Sequence, residues 1–196
     1  PSVVDGPTPS TGTRVRFKPS AKVWSKMVLP LEFIESRMWD IALANPTLKV
    51  WFNDARIMVD SGRDPILSTL FVEPKATLIE TRTPAVHARF YVVAGHTQDE
   101  HIHSLVNNIP VFLGGPHVDE FRSLFYAALI KTLDGTVKKE LGIKGKTDNI
   151  LSRTDVAQGL LIYNITVMDD PHFDSQSKTR LVSEIKPEIR KGFFES

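Results

Sequence analysis

The sequence predicts an α+β fold in which a β-sheet is backed by two helices. Residues 86–94 alternate apolar and polar side chains, which is typical of a half-buried antiparallel strand. Residues 159–168 are apolar on both sides, as expected of a central strand that helices cover on one face. Apolar side chains recur at helical spacing after Pro116 and again from Leu181. With 196 residues and 41% hydrophobic content, the chain has enough apolar surface for one core or two small ones.

The first region reads as strand, helix and hairpin. Residues 13–17 alternate strictly and predict a strand. Helical spacing of apolar side chains predicts a helix over residues 31–44. Branched and aromatic residues predict a strand over 48–52, and the turn at 53–54 returns it toward a hairpin partner over 56–59.

The second region begins with strands. The turn-rich residues 60–64 indicate a domain boundary near that point. Short strands are predicted over residues 67–72 and 76–80. The strand over 86–94 is predicted to pair directly with the one over 102–106, since only a turn separates them.

Helices and one further strand follow. Gly114-Gly115-Pro116 leads into a long helix, which Gly135 is expected to interrupt. A polar, basic loop is predicted over residues 138–149, before the apolar central strand. The helical spacing over 181–195 predicts a last helix, although Pro187 disturbs it.

Composition narrows the classes of function. The chain has 24 Lys+Arg and 23 Asp+Glu, a net charge of +1, so any contact with nucleic acid must come from a local basic patch. The absence of cysteine excludes disulfides and thiolate metal sites. No apolar run approaches the roughly 20 residues that span a bilayer. His101 and His103 share one side of a strand but lack further ligands, so we predict no metal site.

Three stretches carry a family resemblance, in the order in which that family has them. Residues 11–20 (Thr-Gly-Thr-Arg-Val-Arg-Phe-Lys-Pro-Ser) resemble the end of the nucleotide-binding domain of gyrase B and its relatives. Residues 107–122 contain Asn-Asn-Ile-Pro, Gly-Gly-Pro-His and Phe-Arg, where the family has Asn-Asn-Ile, Gly-Gly-Thr-His and Gly-Phe-Arg. Residues 155–178 contain Gly-Leu, Asp-Pro-His-Phe and Gln-Ser-Lys, where the family has Gly-Leu, Asp-Pro-x-Phe and Gln-Thr-Lys. A weaker match covers residues 37–46. The chain therefore resembles the ATPase subunit of type II DNA topoisomerases.

The resemblance implies a fold and a place in a longer protein. Residues 61–196 are expected to form a transducer domain like domain 2 of ribosomal protein S5, and residues 1–60 the last part of a GHKL ATP-binding domain. The family's catalytic glutamate, magnesium-binding asparagine and glycine-rich lid lie upstream of Thr11. The chain alone is therefore expected to be inactive, with ATP and Mg²⁺ bound mainly by the missing upstream domain. Two departures from the family pattern are Pro116 and Ser177, where the family has threonine.

The resemblance also assigns roles to residues. It implies that Gln176 and Lys178 reach the γ-phosphate of ATP, and that Thr13 lies near the adenine. A lysine ammonium suits a terminal phosphate, and a glutamine amide can donate to a second oxygen. Judged by composition alone, Lys178 is an ordinary solvated loop residue and Thr13 an ordinary strand residue.

Basic residues on and after the long helix are candidates for contact with DNA, because family members line a DNA-holding cavity with this domain. A solvated surface explains them equally well. The candidates are Arg122, Lys131, Lys138, Lys139, Lys144 and Lys146.

The expected partners are duplex DNA, other topoisomerase subunits or domains and a second copy of the full-length protein, with no membrane. The expected location is the cytoplasm, in association with the nucleoid, or the host cytoplasm if the chain comes from a phage or viral enzyme. The alternative is a nucleic-acid-binding or coupling domain of another GHKL ATPase, of the mismatch-repair or chaperone type. The run from Asp170 to Phe173 before Gln176-Ser177-Lys178 favours the topoisomerase.

Overall fold

The computed structural model describes residues 12–20, 22–23, 28, 30–59, 66, 76–95, 98–143 and 149–195. The helices and strands in these ranges are α1 (Leu31–Ala44), β1 (Val50–Phe52), β2 (Ala55–Ile57), β3 (Ala76–Arg82), β4 (Val86–Ala94), β5 (His101–Val106), β6 (Ile109–Pro110), α2 (Pro116–Glu140), α3 (Arg153–Ala157), β7 (Leu160–Met168) and α4 (Lys186–Glu195).

The main sheet has five strands in the order β3-β4-β7-β5-β6. Strand β7 lies at its centre, antiparallel to β4 and parallel to β5. The predicted direct pairing of the strand over 86–94 with the one over 102–106 is therefore wrong. Most of β7 is buried on both faces, so this strand takes the position between the two others. The parallel pairing with β5 is possible because β6, α2 and α3 provide a long crossover connection.

Helices α2 and α4 cover one face of the sheet, which confirms the predicted sheet backed by two helices. At the centre of this core the rings of Phe90 on β4 and Phe121 on α2 stack with centroids 3.9 Å apart. The buried members of this core also include Val106, Ile162, Leu181, Ile185 and Ile189.

Helix α1 packs on the opposite face of the sheet. A second apolar cluster lies there, and its buried members are Leu43, Ile66, Tyr91, Leu105, Tyr163 and Ile165. The sheet is thus covered by helices on both faces, which is why β4 and β7 have apolar side chains on both sides.

Polar contacts fix α1 on that face. The buried carboxylate of Asp40 accepts hydrogen bonds from His103 Nε2 at 2.7 Å and from the Tyr163 hydroxyl at 3.2 Å. Arg37 pairs with the same carboxylate and donates to the Asn108 carbonyl at 2.8 Å. Burial raises the pKa of Asp40, but the hydrogen bonds and charges of His103 and Arg37 outweigh this and hold that pKa below its ordinary value.

The small hairpin of the first region is confirmed, with its strands shifted by one or two residues. Strands β1 and β2 pair antiparallel. Asn53 and Asp54 connect them with φ of 46° and 63°, the conformation that a two-residue hairpin turn requires. The predicted strand over 76–80 is confirmed as β3, whereas the one over 67–72 falls outside the described residues.

The predicted strand over residues 13–17 is wrong. The structure gives this segment no regular secondary structure, and Val15 and Phe17 are 80% and 78% exposed. A strand needs a neighbour to accept its backbone hydrogen bonds, and no strand in the described ranges pairs with this segment.

The predicted break at Gly135 is also wrong. Helix α2 continues to Glu140, so Lys138 and Lys139 lie on a helix rather than in a loop. A helical glycine costs only about 1 kcal/mol. Neighbouring contacts offset that cost, since Asp134 accepts from the backbone of Ile150 at 2.7 Å and pairs with Lys138 at 2.7 Å.

Pro187 does not break the last helix, because α4 begins at Lys186 and the proline occupies its first turn. Among the described helices, none combines the length and the hydropathy that a membrane span needs.

Helix α4 approaches β3 very closely at Gly192, where an added Cβ would lie 1.8 Å from Thr81 Oγ1. We expect Gly192→Ala to lower the free energy of unfolding by about 2 kcal/mol, because helix and strand must separate. Gly135→Ala is the control, since its added Cβ meets nothing within 4 Å. This control should raise stability by up to about 1 kcal/mol in urea unfolding. Equal stabilities of the two variants would contradict the close packing.

Candidate functional site

Gln176 and Lys178 lie in a loop that follows the central strand β7. Asp169 leaves the strand, and Phe173 and Leu181 form an antiparallel bridge across the base of the loop. Gln176 is exposed at the tip, whereas Lys178 is half-buried. Both predicted phosphate-contacting residues thus lie in the loop that follows the central strand, between the two residues of this bridge.

The backbone of Lys178 has an unusual conformation. Its φ is 56°, in the left-handed region that residues other than glycine, asparagine and aspartate rarely adopt. Its N–H donates to the Ser175 carbonyl at 3.0 Å. Its Nζ lies 5.5 Å from the centroid of the Phe173 ring, which is a cation–π contact. Such local strain occurs preferentially at functional sites.

The loop is attached to the turn that begins α2. Leu113 N–H donates to the Thr179 carbonyl at 2.9 Å, and Leu181 N–H donates to the Gly114 carbonyl at 3.0 Å. A Cβ on Gly115 would lie 2.4 Å from the Leu181 carbonyl oxygen, so only glycine permits this approach. The Gly-Gly pair of the sequence therefore serves to bring the loop and the helix start together.

Arg180 strengthens the same connection. Its Nη1 donates to the Leu113 carbonyl at 3.0 Å, and its Nη2 donates to Asp119 on the first turn of α2 at 2.9 Å. Sequence reasoning missed Arg180. Its only signal was an arginine beside the Gln-Ser-Lys run, which carries no periodicity.

The first turn of α2 is also connected to the central strand by a chain of buried hydrogen bonds. Pro116 occupies the first helical position, where a missing N–H is harmless, so its replacement of the family threonine fits the fold. His117 follows and is fully buried. Its Nε2 lies 2.9 Å from Ser104 Oγ, which in turn donates to Asn164 Oδ1 at 2.9 Å.

The hydrogen bonds around Asn164 determine the state of His117. The Asn164 amide donates to the Arg89 carbonyl at 3.1 Å, which fixes its oxygen as the acceptor for Ser104. With the serine proton used there, His117 Nε2 must donate to Ser104 Oγ. Among the described residues the Nδ1 of His117 has no hydrogen-bond partner, as expected for the lone pair of a neutral imidazole. Burial and the nearby charge of Arg180 lower the pKa of His117 to about 3.

The structure separates Arg122 from the lysines that it describes among the candidate DNA contacts. Arg122 and Lys131 are nine positions apart, so the two lie on opposite sides of α2. Arg122 is paired with Glu100, with its Nε 2.8 Å from Oε1. Lys131 and Lys139 are exposed. Lys138 is paired with Asp134, and Lys144 and Lys146 lie outside the described residues.

Thr13 is exposed in the segment that lacks regular structure. Its predicted position near an adenine stays a prediction.

Comparison with known proteins decides the family. The family model of DNA gyrase B matches residues 61–195. The chain belongs to the DNA gyrase B family. Similar members include the B subunit of the type 2 topoisomerase of Aquifex aeolicus, 28% identical over 214 residues that cover 100% of this chain and 26% of the relative. The B subunit of the DNA gyrase of Rickettsia bellii is 26% identical, over 93% of this chain and 24% of the relative. The chain thus spans about a quarter of the length of these family members.

Solved structures show the same fold in other gyrase B and topoisomerase II proteins. The 43K ATPase domain of Thermus thermophilus gyrase B, in complex with an aminocoumarin, superposes with a TM-score of 0.58 at 18% identity, over 91% of this chain and 50% of that one. The ATPase region of Saccharomyces cerevisiae topoisomerase II gives 0.53 at 17% identity, over 84% and 44%. The fold and family expected from the sequence are confirmed.

Because His117 is buried, we expect the free energy of unfolding to depend on pH. Its pKa is about 3 when folded and 6.5 ordinarily, so between these values the unfolded chain binds a proton that the folded chain does not. Stability should therefore fall on acidification from pH 6.5, with this residue contributing roughly 1 kcal/mol per pH unit. In His117→Gln that slope should shrink, because the amide can donate to Ser104 but does not titrate.

Urea unfolding between pH 4.5 and 7.5 measures the effect. His172→Gln serves as the control, since the His172 side chain is 69% exposed, and it should keep the wild-type slope. An unchanged slope in His117→Gln would show that the histidine is not held neutral.

Proposed function

We propose that this chain is the transducer, with the end of the ATP-binding domain, from the ATPase subunit of an ATP-dependent type II DNA topoisomerase. Residues 1–60 would complete the GHKL domain and residues 61–196 would form the transducer. The proposal rests on the position of the loop that contains Gln176 and Lys178. This loop follows the central strand and is hydrogen-bonded to the turn before α2. The family match, which begins at residue 61, supports the division.

The chemistry of the loop suits a terminal phosphate. Within the described ranges no carboxylate lies at ion-pair distance from Lys178 Nζ, whose contact is with the Phe173 ring. An ammonium without an acidic partner retains its donors for phosphate oxygens. Gln176 is exposed at the loop tip and can donate to a second oxygen. Loss of the γ-phosphate on hydrolysis would remove both contacts, which gives two states with different contact energies.

The magnesium that accompanies ATP is assigned to upstream residues. The described part of the chain contains no group of three or more His, Asp or Glu side chains able to hold a metal ion. Gln176 and Lys178 would then contribute phosphate contacts, while the upstream domain supplies the ion that neutralises phosphate charge.

The transducer would pass the nucleotide state to DNA through α2. The loop is bonded to the first turn of this helix, and Lys131 and Lys139 are exposed on its second half. We infer that these lysines, with Lys138, contact the phosphates of a duplex without reading its sequence. Arg122 and Lys138 are weaker candidates than Lys131 and Lys139, because Glu100 and Asp134 already pair with them. The full-length protein would act as a homodimer with other topoisomerase subunits or domains, in the cytoplasm.

Lys178→Ala tests phosphate sensing. In the longer protein that carries this chain, we expect ATP turnover to fall about 100-fold or more, as when a charge-stabilising donor is removed elsewhere. The control is Lys186→Ala, which removes an exposed lysine from α4 and should leave turnover unchanged. Wild-type turnover in Lys178→Ala would refute the proposed role of the loop.

DNA contact is tested by a double variant, Lys131→Ala with Lys139→Ala. If each lysine neutralises one phosphate, the slope of log K against log salt should become shallower by about 2 for a duplex. Lys49→Ala with Lys186→Ala is the charge-matched control, since both lysines are exposed and lie outside α2. Equal slopes in both double variants would exclude this helix as the contact. Tighter binding of structured RNA than of duplex DNA would favour a nucleic-acid-binding domain of another GHKL ATPase.

A further inference from the structure

The residues around Lys178 form a closed loop whose two ends are joined. Asp174 N–H donates to the Arg180 carbonyl at 3.0 Å, and Arg180 N–H donates back to Asp174 Oδ1 at 3.1 Å. Residues 174–180 therefore form a ring that is closed by one backbone hydrogen bond and one hydrogen bond to a carboxylate. Lys178 lies inside this ring, two residues before its end.

The Asp174 carboxylate is the common acceptor of the loop. Besides the Arg180 N–H, its oxygens accept from Ser175 Oγ at 3.2 Å and from Thr179 Oγ1 at 3.4 Å. Ser175 Oγ lies 2.8 Å from Ser177 Oγ, so the two serines connect the carboxylate to the residue before Lys178. A single side chain thus orders both limbs of the loop.

Closure of the loop explains how Lys178 keeps its backbone conformation. The left-handed region is unfavourable for lysine, so this conformation persists only if the surroundings impose it. The bonds of Asp174 to Arg180 and Thr179 impose it from the C-terminal side of Lys178. On the N-terminal side, the Ser175 carbonyl accepts the Lys178 N–H. The side chain then leaves the backbone toward the Phe173 ring.

We propose that Asp174 is a positioning residue, which closes the loop by hydrogen bonds and thereby presents the Lys178 ammonium for contact with the terminal phosphate. The inference rests on the proposed function and adds to it a residue outside the Gln-Ser-Lys run. Asp174 itself touches no phosphate. It acts through the geometry of Lys178, so the relevant property is its ability to accept hydrogen bonds and not its charge.

The chain itself allows a direct test of the geometry. The signal of the Lys178 ε-methylene in lysine-labelled NMR spectra should be shifted upfield by the Phe173 ring, and Lys178→Arg identifies that signal. In Asp174→Ala we expect the shift to collapse toward that of the exposed lysines. In Asp174→Asn it should persist, since the amide oxygen still accepts from the Arg180 N–H.

Asp169→Ala is the matched control, because it removes the same charge from an exposed residue of the same loop. The control should keep the wild-type shift of Lys178. A wild-type shift in Asp174→Ala would overturn the inference. A lost shift in Asp169→Ala would also overturn it, because charge rather than loop closure would then control the lysine.

The longer protein tests the functional role. We expect Asp174→Ala to lower kcat for ATP hydrolysis about tenfold or more with a smaller change in KM, because misplacement of a contact group affects the reacting state most. Asp174→Asn should restore most of the rate, and Asp169→Ala should match wild type. A smooth thermal unfolding transition in each variant shows that the protein is folded.

The outcomes separate the two proposals. If Lys178→Ala is inactive while Asp174→Ala turns over ATP like wild type, the role of Asp174 is overturned and the phosphate-sensing loop stands. If Lys178→Ala itself keeps wild-type turnover, the proposed function is overturned, and the role of Asp174 with it. If Asp174→Asn is as slow as Asp174→Ala, the charge of Asp174 matters and the hydrogen-bond account is wrong.

Discussion

The rest of the structure depends on the pairing of β7 between β4 and β5. A strand that is buried on both faces must satisfy its backbone hydrogen bonds with neighbours on both edges. Strand β7 does so with an antiparallel partner on one side and a parallel partner on the other. This position fixes where helices can pack, with α2 and α4 on one face and α1 on the other. It also fixes where the loop with Lys178 emerges, because that loop directly follows β7.

A buried network of hydrogen bonds also aligns the central strands with helix α2. Asn164 lies within β7 and is bonded to the β4 backbone and to Ser104 on β5, which is bonded in turn to His117 on α2. Buried polar groups are costly unless satisfied, so this network favours one register among strands and helix. The helix start and the loop after β7 are thereby held against the same strand. The contacts of Arg180 and the Gly114-Gly115 turn then join two elements that are already aligned.

The sequence predicted those features that periodicity encodes. The alternation of residues 86–94, the apolar run of 159–168 and the two covering helices were all recognisable, because side-chain burial has a regular spacing. The order of strands was not, since periodicity does not specify a partner. The strand over 13–17 failed for a related reason, as a pattern alone provides no neighbour. Gly135 was misjudged because its cost is small beside the contacts of Asp134.

The candidate site was predictable only in part. The roles of Gln176 and Lys178 were predicted from a family resemblance, and the structure adds the conformation and contacts of their loop. Asp174 and Arg180 act through hydrogen bonds between residues six positions apart, which leave no sequence pattern. A structure of the longer protein with a non-hydrolysable ATP analogue would show directly whether Lys178 contacts the terminal phosphate. We expect Lys178 Nζ to lie about 3 Å from a γ-phosphate oxygen, with the hydrogen bonds between Asp174 and Arg180 intact. Lys178 still over the Phe173 ring, with the γ-phosphate held by other residues, would contradict this expectation.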